Sequence, residues 1–380
     1  MKLHIYPASR CYHSLSDLFI APFISSRNFD RFFEKWLDKK PYLCTYRARN
    51  AIYQILVYLK RNFNVTRVLI PAYICKEAMT PVKMSGLDIV IVDSNLETLG
   101  IDLKKIDLRP NDVVICPNLF GLKTDIKRLY GKKIFIIEDN ASSFIKPSPY
   151  ADFTIYSFGK GKEISSSEGG LIVIGKKKFE SLLEESKLFH PGIKFEILRY
   201  FEYFLWKLKT YRIIYFLGKK IKSRISKSKG EVIVEREIEG RNFSICRISK
   251  NLTYLQLKKI EELRQESKKL VELFIKQLKK FNDISILAPP ENSNCFYLNL
   301  FIENRDSLKC FLEKKHIFTS IYWSYLSDIV NKKCYRNFSY ILNHILQILI
   351  NPNYMKKEDV YYILENISEW KESVGRNLWK

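Results

Sequence analysis

A series of short, almost uninterrupted apolar runs limits what this chain can fold into. Val68-Leu69-Ile70-Pro71, Ile89-Val90-Ile91-Val92, Val113-Val114-Ile115-Cys116 and Ile134-Phe135-Ile136-Ile137 follow one another, separated by helical or turn-like sequence. Runs of this kind are strands buried on both faces, and their alternation with helices describes a mainly parallel sheet, an α/β fold. Ligands of such sheets bind outside the carboxyl ends of the strands. Asp139, Ser157 and the turn at residues 71–75 all fall at such ends.

Phe153-Thr154-Ile155-Tyr156 reads as a further buried strand ended by Ser157, and Leu171-Ile172-Val173-Ile174 as its neighbour. The polar segment between them is too short for the crossover helix that a parallel pair needs, so an antiparallel pair is expected. That segment places Lys160 and Lys162 between the strand-end Ser157 and the pair Gly169-Gly170. On one reading Lys162 forms a Schiff base and Ser157 holds a phosphate. On the plainer reading both lysines are solvated charges in a lysine-rich chain. The loop by itself leaves both open.

Other positions carry the same double reading. Ala51, Ile52, Ile55, Leu56 and Leu59 recur at helical spacing, so a helix is expected from Ala48 to about Arg61, with Arg49 in its first turn. A helix N-terminus is a natural phosphate site, but Arg49 also reads as a surface cation. Asp139 either caps a short helix at Asn140-Ala141-Ser142-Ser143 or pairs with a protonated ring nitrogen. A buried carboxylate keeps such a nitrogen protonated, the condition under which pyridoxal 5'-phosphate (PLP) acts as an electron sink.

The composition fits a globular chain: 380 residues, 46% hydrophobic and 28% charged, enough for two domains. No apolar run reaches the roughly 18 residues needed to span a bilayer, and Met1-Lys2-Leu3-His4-Ile5-Tyr6-Pro7 lacks the apolar core of a signal peptide. The eight cysteines include no C-x-x-C pair, so neither a metal site nor a disulfide scaffold is expected, and a cytoplasmic location is. The net charge of +23 is spread along the chain without a nucleic-acid-binding signature; it reads as background, with help in attracting an anionic substrate as a secondary effect.

Between about residues 46 and 175 the chain resembles the nucleotide-sugar aminotransferases of the DegT/StrS family. Val68-Leu69-Ile70-Pro71-Ala72-Tyr73 resembles that family's E-V-I-x-P-A-Y/F element, and Ile91-Val92-Asp93 with Leu99-Gly100-Ile101-Asp102 its V-F-V-D and I-D segments. Asn118-Leu119-Phe120-Gly121 with Asp125 is similar to H-x-Y-G…D, and Glu138-Asp139-Asn140-Ala141-Ser142 to E-D-A-A-Q. The stretch from Ser157 to Gly170 resembles the family's lysine loop, in a register that selects Lys162 over Lys160. Weaker likeness continues at Arg247-Ile248-Ser249, where the family has R-M-S.

The resemblance implies PLP fold type I: a large, mainly parallel seven-stranded sheet domain and a smaller C-terminal α/β domain. It implies Lys162 and Asp139 as catalytic residues, with Ala48, Arg49, Cys75, Asp139, Ser142, Ser157 and Lys162 around PLP. It further implies glutamate as amino donor, a nucleotide-linked keto-sugar as acceptor, and a homodimer with sites at the interface. Dehydratases of the family replace the lysine with histidine, so Lys162 points to amino transfer. Several positions depart from the pattern. Arg47-Ala48-Arg49 stands for S-G-T, and Cys75 for an often aromatic stacking residue, with Tyr73 as a substitute nearby. Ser142 stands for Gln, and Ile245 near an asparagine that crosses the dimer. The alternative from another class is a non-catalytic relative that binds an anionic partner or membrane surface.

The expected domains are residues 1–250, carrying a helical insertion at 186–237, and residues 251–380, with a linking helix over 251–280. The insertion is aromatic and apolar, then basic, and residues 226–230 read as a mobile link. Such a composition suits a membrane interface, but packing within its own domain or across a dimer is the expectation. The C-terminal part is expected to contain strands at 295–302, 317–323 and 345–350 and helices at 305–314 and 358–370. His190, His316 and His344 are expected to be structural.

Overall fold

The apolar runs join one sheet. In the computed structural model, which describes residues 6–7, 11–104, 106–225, 240–290 and 296–377, its strands are β1 (Tyr42–Thr45), β2 (Arg67–Pro71), β3 (Asp88–Val92), β4 (Val113–Pro117), β5 (Phe135–Asn140), β6 (Phe153–Ser157) and β7 (Gly170–Ile174). Their order is β1-β7-β6-β5-β4-β2-β3. Pairing is parallel from β3 through β2, β4 and β5 to β6, and antiparallel at β6–β7 and β7–β1. The short loop after β6 thus joins antiparallel neighbours, as its length requires. Every residue of β4, β5 and β7 is buried, which is why residues 113–116, 135–137 and 171–174 read as unbroken apolar runs.

β5 runs past Glu138-Asp139, where the end of the apolar run leads one to expect the strand to stop. The strand continues through Glu138, Asp139 and Asn140, because their polar groups find buried partners. Glu138 accepts hydrogen bonds from Asn118 (3.1 Å), the Ser148 N–H (2.9 Å) and Thr154 (3.0 Å). Residues 141–144 form a turn rather than a helix, so Asp139 is not a helix cap; its Oδ1 accepts from the Ala141 N–H at 2.9 Å.

The helices are α1 (Leu15–Ile20), α2 (Arg27–Trp36), α3 (Ala48–Phe63), α4 (Lys76–Met84), α5 (Leu182–Glu185), α6 (Ile193–Leu208), α7 (Arg212–Ile225), α8 (Arg247–Leu257), α9 (Ile260–Leu278), α10 (Arg305–Lys314), α11 (Arg336–His344) and α12 (Lys357–Asn377). α3 lays Ala51, Ile52, Ile55, Leu56 and Leu59 against the sheet, the stripe its spacing predicts. The single linking helix expected over 251–280 is two helices. At Lys258 and Lys259 the chain tightens, with the Lys259 N–H bonding the Gln256 carbonyl, and Lys259 Nζ reaches back to the Asp17 carboxylate at 2.7 and 2.9 Å.

The second sheet is antiparallel, β8 (Ile284–Leu287), β9 (Tyr297–Ile302) and β10 (Ile345–Leu349) in the order β10-β9-β8. Alternate residues of β9 serve two cores, as a strand's period of two dictates. Leu298, Leu300 and Ile302 pack with Phe274 of α9 and Ile363 of α12, while Tyr297 and Phe301 join the core of the large sheet. Residues 317–323 are not the strand expected: they make isolated bridges at Ile317 and Ser320, and Trp323, at φ 60°, turns the chain out of extended conformation. The expected link at 226–230, the end of the insertion and Cys295 lie outside the described residues. Among the described residues, no helix is long and apolar enough to cross a membrane.

Candidate active site

The glycine pair after the lysine loop brings distant parts of the chain together. A Cβ on Gly170 would sit 2.5 Å from the Arg47 carbonyl carbon and 2.5 Å from Thr45 Oγ1, so only glycine lets the corner between β1 and α3 lie against the start of β7. Arg47 and Gly169 form a bridge across that contact. The result is that the first turn of α3, with its unsatisfied N–H groups, stands beside the carboxyl ends of β5 and β6.

These elements enclose a cavity of about 300 Å³. The start of α3 contributes Arg47, Ala48 and Arg49, and the start of α4 contributes Cys75 and Glu77. Asp139 and Ala141 enter from the end of β5, Ser157 from the end of β6, and Lys160, Lys162 and Glu168 from the loop. Of the residues singled out from sequence, Ala48, Arg49, Cys75, Asp139, Ser157 and Lys162 therefore share one cavity. Ser142 does not line it; the turn after Asp139 presents Ala141 instead and buries Ser142. Tyr73 belongs to the core, where its hydroxyl donates to the Tyr322 carbonyl at 3.1 Å and its ring packs on Trp323. Ile245 is buried behind Gly169, its Cδ1 2.8 Å from where a Cβ would be.

Both loop lysines line the cavity, but their surroundings differ. Lys160 pairs with Glu202 of α6 at 3.7 Å, whereas the charge of Lys162 is felt by Cys75 and Asp139. Burial raises the Asp139 carboxyl above the usual carboxylate range, opposed by the Ala141 N–H and by Lys162. Burial also raises the Cys75 thiol, against the pull of Lys162, so the thiol is neutral at pH 7. The loop is fixed from behind. The Ser165 N–H donates to Gln256 of α8 at 2.9 Å, Ser167 meets Ser249 at 2.6 Å, and Arg264 of α9 holds Glu163 at 2.6 and 2.9 Å.

Two ion pairs in the cavity wall were not foreseen. Arg47 clamps Glu168 with two hydrogen bonds, at 2.7 and 2.8 Å, and Arg49 lies 2.5 Å from Glu77. An acid before a glycine pair and an acid in a helix's first turn are ordinary in sequence; their pairing depends on the close approach at Gly170. With four cationic side chains and three carboxylates, the wall keeps a net positive charge, and the first-turn N–H groups of α3 add the helix's positive end, suited to a phosphate.

A seven-stranded α/β sheet with a lysine loop and a strand-end aspartate sharing one cavity is the framework of a fold type I enzyme. Over residues 16–368 the chain matches the DegT/DnrJ/EryC1/StrS aminotransferase family, and it belongs to that family. It is similar to GDP-perosamine synthase of Escherichia coli O157:H7, 24% identical over 123 residues, covering 29% of this chain and 34% of that protein. The chain spans about a third of the length of the curated relatives it matches. Its fold is shared with the sugar aminotransferase CalS13 from Micromonospora echinospora (TM-score 0.71, 14% identity, 96% of this chain and 100% of that one). It is shared equally with the E. coli GDP-4-keto-6-deoxy-D-mannose-3-dehydratase with bound hydrated PLP (TM-score 0.71, 16% identity, 95% and 98%).

Proposed function

We propose that this protein is a PLP-dependent aminotransferase that moves an amino group from glutamate to a nucleotide-linked keto-sugar, acting as a cytoplasmic homodimer in polysaccharide or natural-product sugar biosynthesis. The observation that carries the reading is the convergence of Lys162, Asp139, Ser157 and the start of α3 on one cavity. The donor set fits the cofactor. Arg49, Ser157 and the first N–H groups of α3 would hold the phosphate, Asp139 the ring nitrogen and Lys162 the aldehyde carbon, with Cys75 and Ala141 as walls. When bound, PLP supplies an electron sink for a carbanion next to the transferred nitrogen.

The protein's own residues then have distinct tasks. Lys162 moves the proton between the two carbons of the exchange as general base and acid. Asp139 is buried and proton-hungry, which makes it a strong partner for a protonated ring nitrogen. The bonds from Gln256, Ser249 and Arg264 keep the lysine loop from drifting, and the position of a catalytic group is worth orders of magnitude in rate. Retention of Lys162 supports transfer over the dehydration performed by relatives such as the E. coli enzyme. The GDP-linked sugar in the E. coli relative's name and the chain's basic charge support a nucleotide-linked substrate.

The test is to incubate the purified protein with PLP, glutamate and a panel of nucleotide-linked keto-sugars. An amino-sugar nucleotide formed with matching 2-oxoglutarate is the expected product. No product from any substrate, in protein shown to bind PLP, contradicts the proposed activity and favours a non-catalytic relative.

A further inference from the structure

Helix α6 is turned inside out. Glu196, Tyr203 and Lys207 are buried against the protein, where Glu196 pairs with His190 at 2.8 Å and with the Arg247 N–H. Ile193, Ile197, Phe201 and Leu205, spaced four apart along one stripe, face outward instead, with Ile197 61% and Phe201 56% exposed. α7, which follows after residues 209–211, has the same arrangement: Tyr215 and Phe216 pack on Phe318 and His316 of the C-terminal part, while Ile213, Ile214 and Leu217 are exposed. The apolar surface extends to α1 through Phe19, whose ring lies 6.1 Å from that of Phe204, and Phe23 nearby in sequence is 88% exposed. α6 therefore packs on its own domain with one side, as expected from sequence, while α7 packs on the C-terminal part, and both leave the other side apolar. Contiguous apolar surface on this scale marks a contact site.

The charge of the segment selects the occupant. Residues 193–225 contain nine lysines and arginines against two glutamates; among those whose side chains the structure describes, Lys194 and Lys209 are exposed, whereas Lys207 is buried, Arg199 pairs with Glu202 and Arg212 binds the Tyr354 carbonyl. Both glutamates are already paired, Glu196 with His190 and Glu202 with Arg199 at 2.9 Å. A second copy that met this face with its own α6 and α7 would bring the same cationic, apolar segment, and the charges would repel. An anionic lipid surface complements both features, because apolar side chains enter the acyl boundary while exposed lysines such as Lys194 and Lys209 meet the headgroups. We propose that α6 and α7 seat this protein on the surface of a membrane containing anionic lipid. The contact is interfacial rather than spanning.

Co-sedimentation of the full chain with phosphatidylcholine vesicles, with and without phosphatidylglycerol, tests this. The protein is expected to pellet with the anionic vesicles and to leave them as salt rises from about 0.1 to about 1 M, which shortens the screening length from about 10 to about 3 Å. The double variant Ile197→Ser, Phe201→Ser changes only outward-facing side chains. It is expected to keep the wild-type circular dichroism and light-scattering mass and to lose at least about tenfold in partitioning. Failure of the wild type to pellet, or pelleting that the double variant leaves intact, overturns the proposal. A change of particle mass in the variant also overturns it, and assigns the face to a second copy. None of these readouts depends on amino transfer.

Discussion

The guanidinium of Arg49, in the first turn of α3, lies 2.5 Å from the carboxylate of Glu77, in the first turn of α4. The pair ties together two helix N-termini at the part of the cavity best suited to an anion. Glu77 thus competes with any phosphate for Arg49. Both side chains are partly exposed, so the competition is modest, about 0.5–1 kcal/mol. Glu77→Gln is expected to lower the Kd for PLP about two- to fivefold, read from cofactor titration of apo-protein. A weaker Kd in this variant would show instead that Glu77 positions Arg49 for the phosphate.

Gly170 is predicted to be irreplaceable. In Gly170→Ala the new methyl would meet the Arg47 backbone at 2.5 Å, and backbone cannot swing aside as a side chain can. The expected cost is about 1–3 kcal/mol of stability, measured by denaturant unfolding, together with weakened PLP binding as the start of α3 is pushed away. Full stability in this variant would mean that the corner has slack that the packing does not show.

Cys75 tests the wall of the site. An aromatic side chain there would add stacking worth about 0.5–1.5 kcal/mol, so Cys75→Phe is expected to hold PLP as tightly as the wild type or up to about tenfold more tightly. Loss of cofactor binding in a variant that still folds would place the ring elsewhere in the cavity.

Acid stability should depend on His13. The ring is buried, with Nδ1 2.8 Å from the Tyr203 hydroxyl and Nε2 2.8 Å from the Leu252 carbonyl, and burial lowers its pKa to about 4. Because the folded value lies below the unfolded one, the unfolded chain binds the proton first as pH falls. Stability is therefore complete above pH 6.5 and is lost progressively from there toward pH 4, by about 3 kcal/mol in all. Urea unfolding at stepped pH should show this slope, and His13→Gln should flatten it.

What could be read from sequence follows from locality. β2, β4, β5 and β6 were legible because strands buried on both faces write themselves as apolar runs. The same rule hid the end of β5, where Glu138, Asp139 and Asn140 stay in the strand only because Asn118, Ser148 and Thr154 meet them from other elements. Residues 317–323 carry β-forming side chains, yet no neighbouring strand pairs with them along their length. In the candidate site, Asp139 and Ser157 stood out as polar residues at strand ends and Lys162 through the register of its loop against the family's, and the three line one cavity. The Arg47–Glu168 and Arg49–Glu77 pairs were not, since each joins elements that meet only after the sheet has formed. The outward apolar face of α6 escaped for a related reason: periodicity gives a stripe but not the direction in which it points.

The most direct measurement is borohydride reduction of the PLP-treated protein followed by peptide mapping. A pyridoxyl label on Lys162, absent from Lys162→Ala, together with slower amino transfer by several orders of magnitude in Asp139→Asn, is the predicted result. A label on Lys160, or on no lysine, would contradict the account.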